Sequence, residues 1–210
     1  MAAIVDLTRT YDNAMPGFQT TPAKTLQNDG WNAAQLNIYS HAGTHMDAPL
    51  HFGVSESSID EYPPNRFIVG CYVVSITITQ PSQLLGIESV QFLKGRLRPG
   101  QGILFRTGWS KKYGSSEYRD ALPRISDELA DWLVENEVAF IGVEPPSVAD
   151  VNNIEEVTRI HRKLLNGDII IVEGLTNLES LKVEFLQVIA LPLKIFNGDG
   201  APARVLAIQL

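Results

Sequence analysis

The chain has 210 residues, of which 44% are hydrophobic and 20% are charged, and its formal net charge at pH 7 is −7. This length and apolar content predict one globular domain, residues 1–210, with a sizeable core. An acidic chain without a basic stripe lacks the electrostatics of nucleic-acid binding. The single cysteine, Cys71, excludes an intrachain disulfide and a thiolate metal cage, and its apolar surroundings predict a buried core thiol.

The apolar runs are too short for a membrane protein. Even the longest, such as residues 67–76, fall short of the roughly 20 residues that cross a bilayer. The segment that starts at Met1 has no basic stretch followed by a long apolar core, as a signal peptide would have. We therefore expect a cytoplasmic protein that does not contact a membrane.

Strands dominate the predicted elements, because eight segments rich in valine and isoleucine alternate or run continuously apolar. They are residues 3–7, 35–40, 67–78, 102–107, 138–143, 168–172, 186–191 and 204–209.

Three helices are predicted between these strands. A short one is expected over residues 87–94. A second covers residues 126–137, where Ser126 can cap the helix start. A third covers residues 154–165 and should end with Gly167 in the left-handed conformation. Strands interleaved with a few helices indicate an α/β fold, a single mixed domain in which a β-rich core is covered by helices.

Residues 41–51 contain three of the four histidines in the chain. His41, His45, Asp47 and His51 all stand at odd positions, so an extended chain would point them to one side. Ten residue steps would span roughly 33 Å when straight, so the segment must bend if the four groups are to meet. Imidazole and carboxylate groups are ligands for zinc, manganese and iron, and the spacing therefore predicts a metal site.

The string from His41 to Phe52, HAGTHMDAPLHF, resembles the H-x-G-T-H-x-D-x-P-x-H-F signature of the bacterial kynurenine formamidase or cyclase family of metal-dependent hydrolases, which includes isatin hydrolases. Other pieces resemble the family along nearly the whole chain. They are Val5-Asp-Leu-Thr, Arg106-Thr-Gly-Trp, Ser147-Val, His161 with Glu173, and Gly198-Asp-Gly-Ala-Pro-Ala-Arg.

The resemblance implies a swivelling β/β/α fold, a homodimer, and one or two divalent ions per chain, zinc or manganese. The first ion would be held by His41, His45 and Asp47, and Asp47 would bridge to a second ion. The second ion would be held by His161 and Glu173. Taken alone, these last two residues suit a solvated helix position and a loop carboxylate equally well. His51 would be the catalytic proton donor and acceptor rather than a ligand.

This ligand set predicts hydrolysis of a small-molecule substrate. A divalent ion lowers the pKa of bound water from about 15.7 towards about 7, and the metal-bound hydroxide would attack the carbonyl carbon of an amide, aryl formamide or cyclic amide. His51 would return the proton to the leaving nitrogen. Met15 stands where the kynurenine formamidases carry an aromatic residue, and Met15 and Phe18 are expected to bind the substrate. Glu144 stands where the family has aspartate and is expected to alter the surroundings of the site.

Two other functions fit parts of the pattern. His45, Asp47 and His161 match the two-histidine, one-carboxylate triad of non-haem iron oxygenases, although that assignment leaves His41, His51 and Glu173 unused. A non-catalytic metal-binding relative is the other alternative, and the presence of the proton-transfer candidate His51 argues against it.

Overall fold

The computed structural model describes residues 3–209. Its strands are β1 (Ala3–Asp6), β2 (Phe18–Lys24), β3 (Ala33–Ile38), β4 (His45–Asp47), β5 (Ile68–Ser75), β6 (Leu84–Leu85), β7 (Gly102–Arg106), β8 (Arg124–Ile125), β9 (Phe140–Val143), β10 (Ile170–Glu173), β11 (Phe185–Pro192) and β12 (Gly200–Gln209). Its α-helices are α1 (Leu26–Asp29), α2 (Glu117–Asp120), α3 (Asp127–Glu135) and α4 (Ile154–Asn166). Short 3₁₀ turns join several of these elements.

The main sheet closes on itself through β12. Its strand order is β1-β12-β11-β5-β7-β9-β10-β4, and β12 also pairs with β4. Residues 203–208 of β12 pair with β11, whereas Gly200, Ala201 and Pro202 pair with β4. Seven strands therefore form a barrel-like ring, and β1 lies beside the far end of β12. The hairpin of β2 and β3 forms a separate two-stranded sheet.

Side chains fill both sides of the parallel part of this sheet, where β5, β7, β9 and β10 are neighbours. Along β10, Ile170 and Val172 enter the apolar cluster within the ring, and Ile171 enters the cluster beneath the helices. Helices α3 and α4 cover that second cluster with Leu133 and Leu164, among others. Parallel strands buried on both faces have continuous apolar runs, which is why these strands could be recognised in the sequence. The predicted β-rich α/β core covered by helices is confirmed.

Several local predictions are confirmed and others are wrong. Ser126 caps α3 by accepting a hydrogen bond from the backbone of Leu129 at 3.1 Å. Residues 87–94 form two separate 3₁₀ turns instead of a helix. Gly167 has φ −78°, so the prediction of a left-handed glycine is wrong, and Asp168 takes the left-handed conformation one residue later with φ 57°.

The environment of Cys71 matches the predicted core thiol. Its side chain is fully buried within the ring, and this burial raises the pKa of the thiol. The helices of the described residues are all too short or too polar to cross a membrane.

Strand β4 positions the histidine motif of residues 41–51. It lies between β10 and β12, with His45 opposite Glu173 on one side and Asp47 opposite Gly200 on the other. Met46, between the two polar residues, points into the ring and is fully buried. The alternation of the strand therefore places His45 and Asp47 on the face opposite the core.

Candidate metal centre

His45 and Glu173 face each other across the β4–β10 pair. His45 Nε2 lies 3.1 Å from Glu173 Oε2. The other ring nitrogen, Nδ1, donates to the carbonyl of Gly43 at 3.0 Å, which orients the ring and leaves Nε2 directed at the carboxylate. Both side chains are almost completely buried.

The chain bends before β4, as the spacing of the motif requires. Gly43 has φ +61°, and the Tyr11 hydroxyl donates to the carbonyl of Ala42 at 2.6 Å and lies 3.0 Å from that of Thr44, on either side of the glycine. A Cβ atom at Gly43 would lie 2.8 Å from the Met15 sulfur, so glycine is required by both conformation and space. The bend brings His41 Nδ1 to 3.0 Å from Asp47 Oδ1.

Helix α4 brings the fourth histidine to the same place. His161 Nδ1 donates to the carbonyl of Val157 one turn earlier at 2.7 Å. Its Nε2 then lies 3.3 Å from Glu173 Oε1 and 3.6 Å from Asp47 Oδ2. The backbone N–H of Val148 donates to Glu173 Oε1 at 2.7 Å and holds that carboxylate in position.

The five residues form two sets of ligand atoms, and Asp47 belongs to both. One set is His41, His45 and Asp47, and the other is Asp47, His161 and Glu173; within each set the atoms lie within 4.8 Å of one another. Asp47 Oδ2 is buried and lacks a hydrogen-bond partner among the residues described here. A buried carboxylate oxygen without a partner is costly, and a cation would satisfy it. The donor set therefore fits one or two divalent ions.

The carboxylates of the cluster favour the protonated form of His41. Burial favours neutral His41, but the carboxylates of Asp47 and Asp199 outweigh this and raise its pKa to about 9. Burial would likewise raise the pKa of Asp47, yet the hydrogen bond from His41 and the charges of His45 and His161 hold it far below its ordinary value. A cation entering the cluster would displace the proton of His41, because imidazole must be neutral to bind metal.

His51 lies beside the two ligand sets on a 3₁₀ turn, Pro49–Phe52. Its ring stacks on that of His41 with 3.8 Å between the centroids. Burial is the main influence on its pKa and lowers it. His51 is a quarter exposed and reaches the adjoining cavity, as a group that exchanges protons with a substrate must.

The ligand sets open onto a cavity of about 450 Å³ whose walls are largely aromatic and apolar. Met15, with only 3% of its surface exposed, lines this cavity as expected. Phe18 does not: it packs behind the wall with Met15 and Ala42, because β2 turns its first side chain towards that small cluster. Phe18 is therefore not part of this cavity wall, and its contact with a substrate stays a prediction. The remaining apolar lining comes from residues such as Phe52, Tyr113, Tyr118, Val151 and Val157.

Two acidic residues have positions that the sequence did not reveal. Asp199, in the turn before β12, places Oδ2 3.0 Å from His41 Nε2; the Gly198-Asp-Gly string was its only signal. Glu144 is fully buried, and its carboxylate hydrogen-bonds the turn after β7 instead of the ligand sets. Its carboxylate accepts hydrogen bonds from the backbone of Thr107 at 2.6 Å and from the Ser110 hydroxyl at 2.9 Å. Glu144 therefore holds the turn after β7, and its carbonyl accepts from the cavity residue Tyr118.

Comparison with known proteins identifies the family of the chain. The Cyclase family model matches residues 5–151, well over half of the chain. The chain belongs to the cyclase family. This cyclase-family protein is 30% identical to a kynurenine formamidase of Salinibacter ruber over 96% of its own length and 95% of the relative. It is also 30% identical to a kynurenine formamidase of Bacillus thuringiensis, over 82% of its length and 78% of the relative.

This cyclase-family chain has the same fold as a protein of known structure. Isatin hydrolase A from Labrenzia aggregata, bound to benzyl benzoate, superposes with a TM-score of 0.91 at 26% identity, covering 99% of this chain and 94% of the other. The predicted family resemblance is confirmed.

Proposed function

We propose that this cyclase-family protein is a divalent-metal-dependent hydrolase that cleaves the C–N bond of an aryl formamide or a small cyclic amide. The observation that carries the proposal is the pair of ligand sets that share Asp47, whose buried Oδ2 has no partner among residues 3–209. Relatives named kynurenine formamidase and isatin hydrolase support the reaction class.

The donor set determines what the residues would do. His41, His45 and Asp47 would hold one divalent ion, and His161 and Glu173 would hold a second together with Asp47. Such an ion lowers the pKa of water and polarises a carbonyl oxygen when it is bound. Zinc and manganese both suit these ligands, so the choice between them stays a prediction.

His51 would move the proton in this reaction. It reaches the cavity next to the ligand sets, and a lowered pKa leaves its ring neutral and able to accept a proton at neutral pH. The proton taken from water would pass to the nitrogen that leaves when the C–N bond breaks. The products are then an amine and a carboxylate.

The cavity would select an aromatic substrate. Phe52 stacks on His161 with 4.3 Å between ring centroids, and Met15 and Tyr113 supply further apolar surface. A cavity of about 450 Å³ suits a ligand with one or two rings. The Met15 thioether can pack on an aromatic ring at its edge, in place of the aromatic residue of the kynurenine formamidases.

The oxygenase alternative gains little from the geometry. His45, Asp47 and His161 do lie together, but His41 and Glu173 enter the same cluster and would be superfluous to a three-residue triad. The homodimer and the cytoplasmic location stay predictions.

Metal analysis and hydrolysis assays test the proposal together. The purified protein, before and after reconstitution with zinc or manganese, should contain at least one ion per chain and should hydrolyse formanilide, N-formylkynurenine or isatin. Metal content below one ion per chain under all conditions would contradict it. Oxygen consumption without hydrolysis would favour the oxygenase instead.

Two substitutions separate the roles of the ligands and the proton carrier. Asp47→Ala should abolish metal retention, whereas His51→Ala should retain metal and lose at least about 100-fold in kcat. Arg162→Ala is the matched control, because the Arg162 side chain donates to the Phe52 carbonyl and supports the same turn without being an imidazole. Equal metal loss in Asp47→Ala and His51→Ala would show that His51 is a ligand.

A further inference from the structure

Asp199 forms a hydrogen bond with the outer ligand histidine, His41, and lies close to the proton carrier, His51, without a hydrogen bond to it. Its Oδ2 lies 3.0 Å from His41 Nε2 and 3.6 Å from His51 Nδ1. One oxygen can reach both rings because they are stacked with their centroids 3.8 Å apart and their planes at 23°. The backbone carbonyl of Asp199 accepts from the N–H of Ala48 at 3.0 Å, so the turn is anchored to the end of β4.

Both ring nitrogens of His41 face carboxylates, so the contact with Asp199 bears on which nitrogen is free to bind a metal. Asp47 Oδ1 lies beside Nδ1 and Asp199 Oδ2 beside Nε2. A neutral imidazole carries one proton, and a hydrogen bond to a carboxylate determines where that proton stays. When the proton lies on Nε2 and is donated to Asp199, Nδ1 is unprotonated. Its lone pair then faces the ligand set and can bind a metal ion.

The same oxygen has a weaker effect on His51, because at 3.6 Å from Nδ1 only its negative charge, and no hydrogen bond, favours a proton on that nitrogen. A proton on His51 Nδ1 would point at Asp199, which leaves Nε2 unprotonated as the acceptor. Asp199 is not among the residues that line the cavity, and its side chain is 44% exposed. It would therefore act through the two histidines and not by contact with a substrate.

We propose that Asp199 is a positioning residue that sets the tautomer and orientation of both His41 and His51. This inference rests on the proposed function, in which His41 binds metal and His51 transfers the proton. It extends the site to the turn before β12, whose sequence lies almost 150 residues from the histidine motif.

Imidazole nitrogen spectra test the proposal directly, because the chain has only four histidines. Long-range ¹⁵N–¹H correlation spectra of the metal-free and zinc-loaded protein should show His51 protonated on Nδ1. Asp199→Ala should remove this preference, and Asp199→Asn, whose amide oxygen can still accept, should preserve part of it. Zinc affinity, measured by competition with a chelator, should fall about 10- to 100-fold in Asp199→Ala.

Kinetics provide the second measurement. At saturating zinc, Asp199→Ala should lower kcat for the best amide substrate about 10- to 100-fold and change KM less than about twofold. Asp6→Asn is the matched control, because Asp6 is similarly exposed (42%) and also binds a cationic side chain, Arg204, but lies outside the cavity. It should leave spectra, zinc affinity and kcat unchanged.

Unchanged His51 tautomer and zinc affinity in Asp199→Ala would overturn the inference, whatever the protein hydrolyses. Wild-type protein that binds zinc but cleaves no amide would contradict the proposed function alone, since the spectra and the zinc affinity still report on Asp199. Loss of folding in Asp199→Ala would leave the decision to Asp199→Asn, which must then show a weakened Nδ1 preference and weaker zinc binding.

Discussion

Gly200 allows β12 to lie directly against the ring of His41, and adding one methyl group there should damage the site. A Cβ atom at this position would lie 2.6 Å from His41 Cε1 and 2.7 Å from the Met46 carbonyl oxygen. The carbonyl belongs to β4, which pairs with β12, so relieving that contact requires a shift of the strand backbone, and the imidazole must move as well. To restore an ordinary contact of 3.4 Å, the ring has to move about 0.8 Å.

A movement of this size is large for a metal ligand. Catalytic geometry tolerates about 0.5 Å, and a misplacement of about 1 Å costs on the order of 100-fold in rate. We therefore expect Gly200→Ala to lower kcat/KM for the best amide substrate by about 10- to 100-fold and to weaken zinc binding. Overpacking should also lower the free energy of unfolding by about 1–3 kcal/mol.

Steady-state hydrolysis at saturating zinc and urea unfolding measure the two effects separately. Gly70→Ala is the matched control, because its Cβ would lie 2.7 Å from the ring of Phe185, which is 44% exposed and free to rotate. That variant should retain activity. If Gly200→Ala matches Gly70→Ala in both activity and zinc affinity, the inferred displacement of His41 is refuted.

Three further predictions concern the proton on His41, metal binding and the turn after β7. The folded pKa of His41, about 9, exceeds its ordinary value of 6.5, so its stabilisation of the metal-free protein is complete below about pH 6.5 and is lost as pH rises through 9. Urea unfolding with chelator should show this decline, while zinc affinity rises over the same interval. Zinc at 100 times its Kd should add about 2.7 kcal/mol and raise Tm by about 5–11 °C in thermal scans, and a chelator should reverse the shift. Glu144→Gln should lower the free energy of unfolding by about 2–3 kcal/mol in urea titrations, because an amide cannot accept from both Thr107 and Ser110 as a carboxylate does. An unchanged free energy of unfolding would contradict the role of Glu144 in holding the turn after β7.

The strands and helices that the sequence revealed are those with a strong local pattern. Residues 102–105 and 170–172 are continuous apolar runs because both faces of the parallel sheet are buried. The hairpin strand β2 was missed because most of its side chains are exposed and it carries little apolar alternation. Strand β4 is only three residues long, and its polar residues face the site, so its pattern indicates a strand only in the context of β10 and β12.

For the histidine motif too, the sequence predicts the local geometry but not the contacts with distant residues. The common side of His45 and Asp47 follows from the two-residue period of an extended chain, and a bend before them was required by the length of the segment. The cavity wall was harder to predict from the sequence. Met15 and Phe18 are three residues apart, and only the packing of the β2–β3 hairpin decides that Met15 faces the cavity while Phe18 packs behind it.

The sequence by itself determined a β-rich α/β chain, the family to which it belongs, and a local group of imidazole and carboxylate donors, because these depend on short-range periodicity and residue chemistry. Tertiary structure decided which distant groups join them. His161 and Glu173 meet Asp47 because α4 packs over the sheet and β10 pairs with β4, and Asp199 reaches His41 because β12 closes the ring on the other side of β4. Such contacts arise from burial of the core and from pairing between distant strands, and no local pattern encodes them.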